Sequence, residues 1–162
     1  MIRRNYTFGA AKPKKKRKAK SERSKLRKEL DKLFSLFIRT RDKRRFAGKC
    51  AFACGRPLEV AFHFLSRGNL QTRWNTDNAV GSCRGCNFNE VSDRREARKA
   101  YWRGWHVAFV GEVRRLELED IARLTTKWDA ADLGLIRTYL AEKLERVVVD
   151  TPKAGAGLES AL

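Results

Sequence analysis

The chain has 162 residues, 42% of them hydrophobic and 35% charged, with 37 Lys/Arg against 19 Asp/Glu and a formal charge of +18. That length suits one compact domain with tails, and that charge points to a polyanionic partner, nucleic acid first. No apolar run is long enough to span a bilayer, and the N-terminus has no hydrophobic core of a secretory signal, so neither a membrane span nor secretion is expected and the cysteines are expected in a reducing compartment.

The charge is concentrated at the start. Residues 1–30 hold 13 Lys/Arg against Glu22 and Glu29, so +11 lies there and +7 in the remaining 132 residues. Residues 1–24 show no apolar period, and the block through Lys14, Lys15, Lys16 and Arg17 reads as a disordered basic arm that touches phosphate without sequence preference. It also resembles a nuclear localisation signal. Lacking an apolar face, it is not expected to insert into a membrane surface.

An amphipathic helix is expected over about residues 24–44, because Leu26, Leu30, Leu33, Phe34, Phe37 and Ile38 recur at intervals of three and four. Cys50 to Gly55 reads as a tight turn. Leu58 to Leu65 reads as a strand, with Leu58, Val60, Phe62 and Phe64 on one face and Glu59, Ala61 and His63 on the other. Ser66 to Asn78 is a polar loop, Ala79-Val80 a short second strand, and Cys86 to about Tyr101 a basic helix. His106 lies among Trp102, Trp105 and Phe109 and reads as a packed or surface histidine, the aromatics as core that docks the C-terminal helices. Leu116 to Leu124 supports one further helix. Asp129 caps another that aligns Leu133, Ile136, Leu140, Leu144 and Val147. The division expected is a basic arm over 1–24, a core with its leading helix over 25–100, a helical extension over 101–148 and a disordered tail over 149–162.

The cysteines form two pairs, Cys50/Cys54 and Cys83/Cys86, about 30 residues apart. Such pairs each offer two thiolates from one backbone turn, which is what tetrahedral Zn²⁺ requires. A reducing compartment favours this over disulfides. Four cysteine ligands close the coordination shell, so the zinc is expected to be structural and the chemistry must lie elsewhere. Between and beside the pairs stand His63, Asn78 and Asn87. A neutral imidazole suits activation of water, a carboxamide can brace a loop, and an amide oxygen suits a hard cation such as Mg²⁺. Arg67 and Arg73, in the loop after the histidine, are of the type that grips phosphate.

The run Cys50…Cys54-Gly55…His63-Phe64…Asn78…Cys83-x-x-Cys86-Asn87 resembles the HNH (ββα-metal) endonucleases that carry a four-cysteine zinc. Within them it is most similar to the phage NinG (Rap) recombination endonucleases, through His63, Phe64, Ser66, Arg67, Asn69, Thr72, Arg73, Trp74, Asn78, Cys83, Cys86 and Asn87. The resemblance implies an α+β fold: a small ββα core with a structural zinc, flanked by an N-terminal helix and C-terminal helices. It implies a metal-dependent DNA endonuclease with His63 as general base, Asn78 and Asn87 beside it, and Mg²⁺ or Mn²⁺ at Asn87. It implies DNA as partner, branched recombination DNA included, products with a 5′-phosphate and a 3′-hydroxyl, a homodimer for two-strand cutting, and the cytoplasm of a bacterial host. Where many HNH enzymes carry an acid or histidine before the base, this chain has Phe62. Asp77, Glu90 and Asp93 stand as alternatives for a second cation ligand. Two other readings are a nuclease acting on RNA and a non-catalytic zinc module that binds nucleic acid.

Overall fold

A run of apolar residues at helical spacing, ended by residues that accept positive φ, builds the longest element. In the computed structural model, which describes residues 21–92, 96–125 and 127–149, helix α1 spans Glu22–Arg45. Ser21 caps it, its hydroxyl accepting from the Ser24 N–H at 3.3 Å. Glu22 in the first turn and Lys43, Arg44 and Arg45 in the last complement the helix dipole. Ala47 (φ 47°) and Gly48 (φ 73°) stop it in the left-handed region. Residues 21–24, expected in the basic arm, thus begin the helix; the rest of the arm, with Lys14, Lys15, Lys16 and Arg17, lies outside the described residues, as do 150–162.

Two short strands follow, β1 (Val60–His63) and β2 (Ala79–Ser82), paired antiparallel with Val60 opposite Ser82 and His63 opposite Ala79. Helices α2 (Arg84–Ser92), α3 (Glu96–Val110), α4 (Glu112–Arg123) and α5 (Ala130–Val149) complete the order. The stretch expected to be helical from Cys86 to about Tyr101 lies in α2 and α3 wherever it is described, and α3 runs on to Val110, where Gly111 (φ 83°) turns the chain into α4. The cap expected at Asp129 is present as a reciprocal pair: Asp132 N–H donates to Asp129 Oδ1 and Asp129 N–H to Asp132 Oδ2, both at 2.9 Å. The architecture is mixed: five helices and a two-stranded sheet among the described residues.

Alternation along the hairpin divides the interior. Phe62 and Val80 face one cluster with Phe52, Trp102 and the cysteine turns, joined by Phe46, Phe64, Trp105 and Phe109. Ala61 and Ala79 face the other, where α1 contributes Leu30, Phe34, Phe37 and Ile38, and α5 contributes Leu133 and Leu140. The C-terminal helix thus shares its core with the leading helix. Each large side chain buried this way contributes about 1.5–3 kcal/mol.

A two-stranded sheet is marginal alone, and its open edges need partners. Helix α1 supplies them for β2. Asp42, fully buried, accepts from the Gly81 N–H at 2.6 Å, while Arg41 donates to the carbonyls of Ala79 (2.9 Å) and Thr76 (3.0 Å) and pairs with Asp42 at 2.7 Å. The approach requires glycine at position 81: a Cβ there would lie 2.3 Å from Leu58 Cδ1 and 3.0 Å from Asp42 Cβ. Asp42→Ala should therefore orphan the Gly81 N–H and leave Arg41 without its carboxylate. The expected loss is about 3–5 kcal/mol in urea unfolding. A loss below about 1 kcal/mol would show that the clamp does not hold the edge.

Candidate functional site

The cysteine turns meet at one end of the hairpin. Cys50 begins a turn in which its N–H donates to Arg56 O (2.8 Å) and Ala53 N–H donates back to Cys50 O (3.2 Å). Ala53 (φ 52°) and Gly55 (φ 74°) adopt the left-handed backbone that curls it. Cys83 follows β2, and the Cys86 N–H donates to its sulfur at 3.3 Å. All four Sγ atoms lie within 4.8 Å of one another, with Cys54 and Cys83 at 3.6 Å. Tetrahedral sulfurs about 2.3 Å from a zinc ion would stand about 3.8 Å apart. The thiols could thus hold a metal ion such as zinc.

Their electrostatics agree with that fit. Burial would raise the Cys83 thiol, but the Cys86 N–H and the neighbouring thiols bring it down to about 7. Burial and the other thiols push Cys86 up. Four packed sulfurs cannot all ionise without a cation among them, and they leave no open coordination position.

His63 closes β1. Its ring lies 5.3 Å from that of Phe34 of α1, and its Nε2–H donates to the carbonyl of Arg73 at 3.0 Å. That bond fixes the tautomer and makes Nδ1 the basic nitrogen. Burial draws its pKa down to about 4, aided by the charges of Arg67 and Arg73 and opposed by the Arg73 carbonyl and Asp31.

The loop that carries this carbonyl is braced from two sides. Asn78, fully buried, accepts from the Leu65 N–H at 2.7 Å and donates to Leu65 O (3.2 Å) and Thr72 O (2.9 Å). Asp31 of α1 accepts from Arg73 Nε (2.8 Å) and Nη2 (2.6 Å) and from Trp74 Nε1 (3.1 Å), and pairs with Arg67 at 3.2 Å. The third guanidinium nitrogen of Arg73 donates to Arg67 O at 2.8 Å. Arg73 is thus committed inside the protein, whereas Arg67 is 56% exposed.

Asn87, half-buried in the first turn of α2, follows Cys86, its N–H bonded to Cys83 O at 3.2 Å. The Asp77 carboxylate pairs with Arg114 at 2.8 Å, and the side chains of Glu90 and Asp93 lie outside the described ones. His106 is buried, stacked on Phe64 at 4.4 Å, with Nε2–H donating to Asp77 O at 3.0 Å. Sequence reasoning missed Asp31 and Asp42. The available signal was an acid set beside the apolar stripe of a helix otherwise filled with Lys and Arg.

A family model described as the bacteriophage lambda NinG protein matches residues 3–147. This chain belongs to the NinG family. No curated protein and no solved structure matches it. No helix among the described residues of this NinG-family chain is long and apolar enough to cross a membrane.

Two outcomes are expected. Purified protein should carry one zinc per chain by elemental analysis, and a strong chelator or Cys83→Ser should remove both the metal and the cooperative unfolding transition. Retention of the transition in the metal-free chain would sink that view. The second outcome concerns acid. His63 titrates near 4 folded and near 6.5 unfolded. Below pH 6.5 the unfolded chain gains a proton that the folded one refuses, so stability falls between about pH 6.5 and 4, by on the order of 3 kcal/mol from this group. His63→Gln should flatten that part of the urea-midpoint profile relative to wild type; superimposable profiles would contradict the buried neutral ring.

Proposed function

We propose that the chain is a metal-dependent DNA endonuclease of the HNH (ββα-metal) type, hydrolysing phosphodiester bonds in branched recombination DNA. The observation that carries this reading is the His63 tether. With Nε2–H held by the Arg73 carbonyl, the imidazole is oriented, and burial keeps it neutral with its lone pair on Nδ1. That state suits a general base, and an incoming phosphate would raise its proton affinity at the moment of use. Membership of a phage family supports the recombination setting.

In this reading Zn²⁺ in the four-cysteine site is structural. It anchors the start of α2 and with it Asn87. Asn87 offers a hard amide oxygen of the kind Mg²⁺ or Mn²⁺ takes, and Mg²⁺ commonly uses one or two protein ligands with water and phosphate oxygens completing its shell. Such an ion, when bound, supplies charge relief on the phosphate and the leaving oxygen. The chain's own residues do the rest. Asn78 and Asp31 fix the loop, the loop carbonyl aims the imidazole, His63 Nδ1 takes a proton from the attacking water, and Arg67 meets phosphate. The partner is DNA, a homodimer would present two such sites for a junction, and the setting is the cytoplasm of a bacterial host.

Two observations favour a second reading, a non-catalytic zinc-stabilised nucleic-acid-binding module: His63 packs against Phe34, and Arg73 is held by Asp31. The two separate in a cleavage assay on linear, nicked and four-way DNA with Mg²⁺ or Mn²⁺. The nuclease reading expects cutting with a preference for branched DNA and a loss of about 10²–10⁴-fold in His63→Ala, with DNA affinity nearly unchanged. No cutting by the wild type, or equal cutting by His63→Ala, defeats it.

A further inference from the structure

Next to the tethered loop lies a cavity of about 260 Å³ that the proposed chemistry does not use. Three aromatic side chains line it: Trp74 from the loop, Trp128 from the segment before α5, and Tyr139 of α5. Asn75, Asp77 and Arg114 add polar groups. The cavity falls just under the roughly 300–1,000 Å³ of ordinary small-molecule pockets, a size suited to one heterocycle.

Its hydrogen-bonding groups are part-committed in an informative way. The Trp128 indole N–H is buried and has no partner among the described residues. Asn75 Oδ1 accepts from the Asp77 N–H at 2.9 Å, which leaves its amide N–H groups as donors. Arg114 Nε takes Asp77 Oδ2 at 2.8 Å, which leaves Oδ1 as an acceptor. Lys143 Nζ lies 5.5 Å from the Tyr139 ring centroid and adds a cation beside that wall. Aromatic faces, donors and acceptors in one small cavity, with a cation near, match a nucleobase and its phosphate.

The cavity is also coupled by the chain to the candidate base. Arg73 carries the carbonyl that holds His63, and the next residue, Trp74, lines the cavity. We propose that this cavity binds an unpaired DNA base, so that the protein recognises a site where pairing is broken and sets the adjoining strand against the loop that positions His63. The proposal rests on the nucleic-acid reading above but not on cleavage itself.

The test uses the full chain with its zinc and a DNA duplex carrying one unpaired 2-aminopurine, with the same duplex fully paired as control. Stacking on the aromatic walls should quench the unpaired probe. Tyr139→Ala should relieve the quenching and weaken binding of that duplex by about 5- to 150-fold, leaving the fully paired duplex unaffected. Tyr139 is 49% exposed, and an unchanged unfolding transition will show that the variant keeps its fold. His63→Ala should quench as the wild type does, whatever its effect on cutting. An unquenched probe, or quenching equal in Tyr139→Ala, overturns the pocket while leaving cleavage standing. Binding of neither duplex overturns the pocket and the nucleic-acid reading together. Displacement of the probe by an equal concentration of free deoxyadenosine monophosphate would make this a mononucleotide site instead, and stronger displacement by an oligoribonucleotide would assign it to RNA.

Discussion

A single carboxylate, that of Asp31, gathers the loop on which the candidate site depends. Arg73, Trp74 and Arg67 all converge on it from residues some forty positions away. Burial would raise its pKa, but the Arg73 and Trp74 hydrogen bonds and the two guanidinium charges outweigh burial and bring it below the usual 3.8. A depressed carboxylate stabilises the fold above its unfolded pKa and loses that contribution only as pH falls through the folded value. The clamp is therefore complete throughout the neutral range. Its mechanical consequence is a relay: Asp31 fixes Arg73, and Arg73 presents its carbonyl to His63. The orientation of the imidazole is thus tied to a residue on α1 as well as to its own strand and to the Asn78 brace.

The same helix solves a second problem. Two four-residue strands cannot sustain themselves, and the cysteine turns restrain only one end of them. Arg41 and Asp42 grip β2 from one side along its backbone, and Ala51 N–H from the first cysteine turn donates to Gly81 O at 3.1 Å. The sheet is thus sewn between a helix and the cysteine turns, with an apolar cluster on each face. Removing either support exposes backbone groups as well as apolar surface, which is why a domain this charged can remain ordered around so little sheet.

Much of this was legible in the chain. The three-and-four spacing from Leu26 to Ile38 gave α1, the alternation at Phe62 and His63 gave the faces of β1, and Asp129 with Leu133, Ile136, Leu140, Leu144 and Val147 gave the cap and inward stripe of α5. The cysteine spacing led directly to the thiol cluster. What alternation cannot state is what covers each face. Alternation sets His63 away from the Phe/Val cluster, and there it lies, on a face roofed by Phe34. Nor can local sequence assign an arginine to a partner 42 positions away, as Arg73 is to Asp31. Phosphate and carboxylate ask for the same guanidinium, and only tertiary structure decides which receives it.

That competition bears on how the +18 charge should be read. Arg41, Arg73, Arg114 and Arg115 are all engaged with carboxylates of the protein itself. Their charge is balanced locally and contributes little at a distance. The exposed cations of α1, such as Lys25, Lys32, Lys43 and Arg44, stand apart from the site in sequence, and the densest basic block precedes them all. On the nuclease reading, attraction and chemistry therefore reside in different parts of the chain. The arm and α1 draw the polyanion in with strong salt dependence, while Arg73 holds the imidazole of His63 through its carbonyl. A change at Arg73 would then disturb the position of the base more than the affinity for DNA, which is the reverse of what its place in a basic sequence suggests.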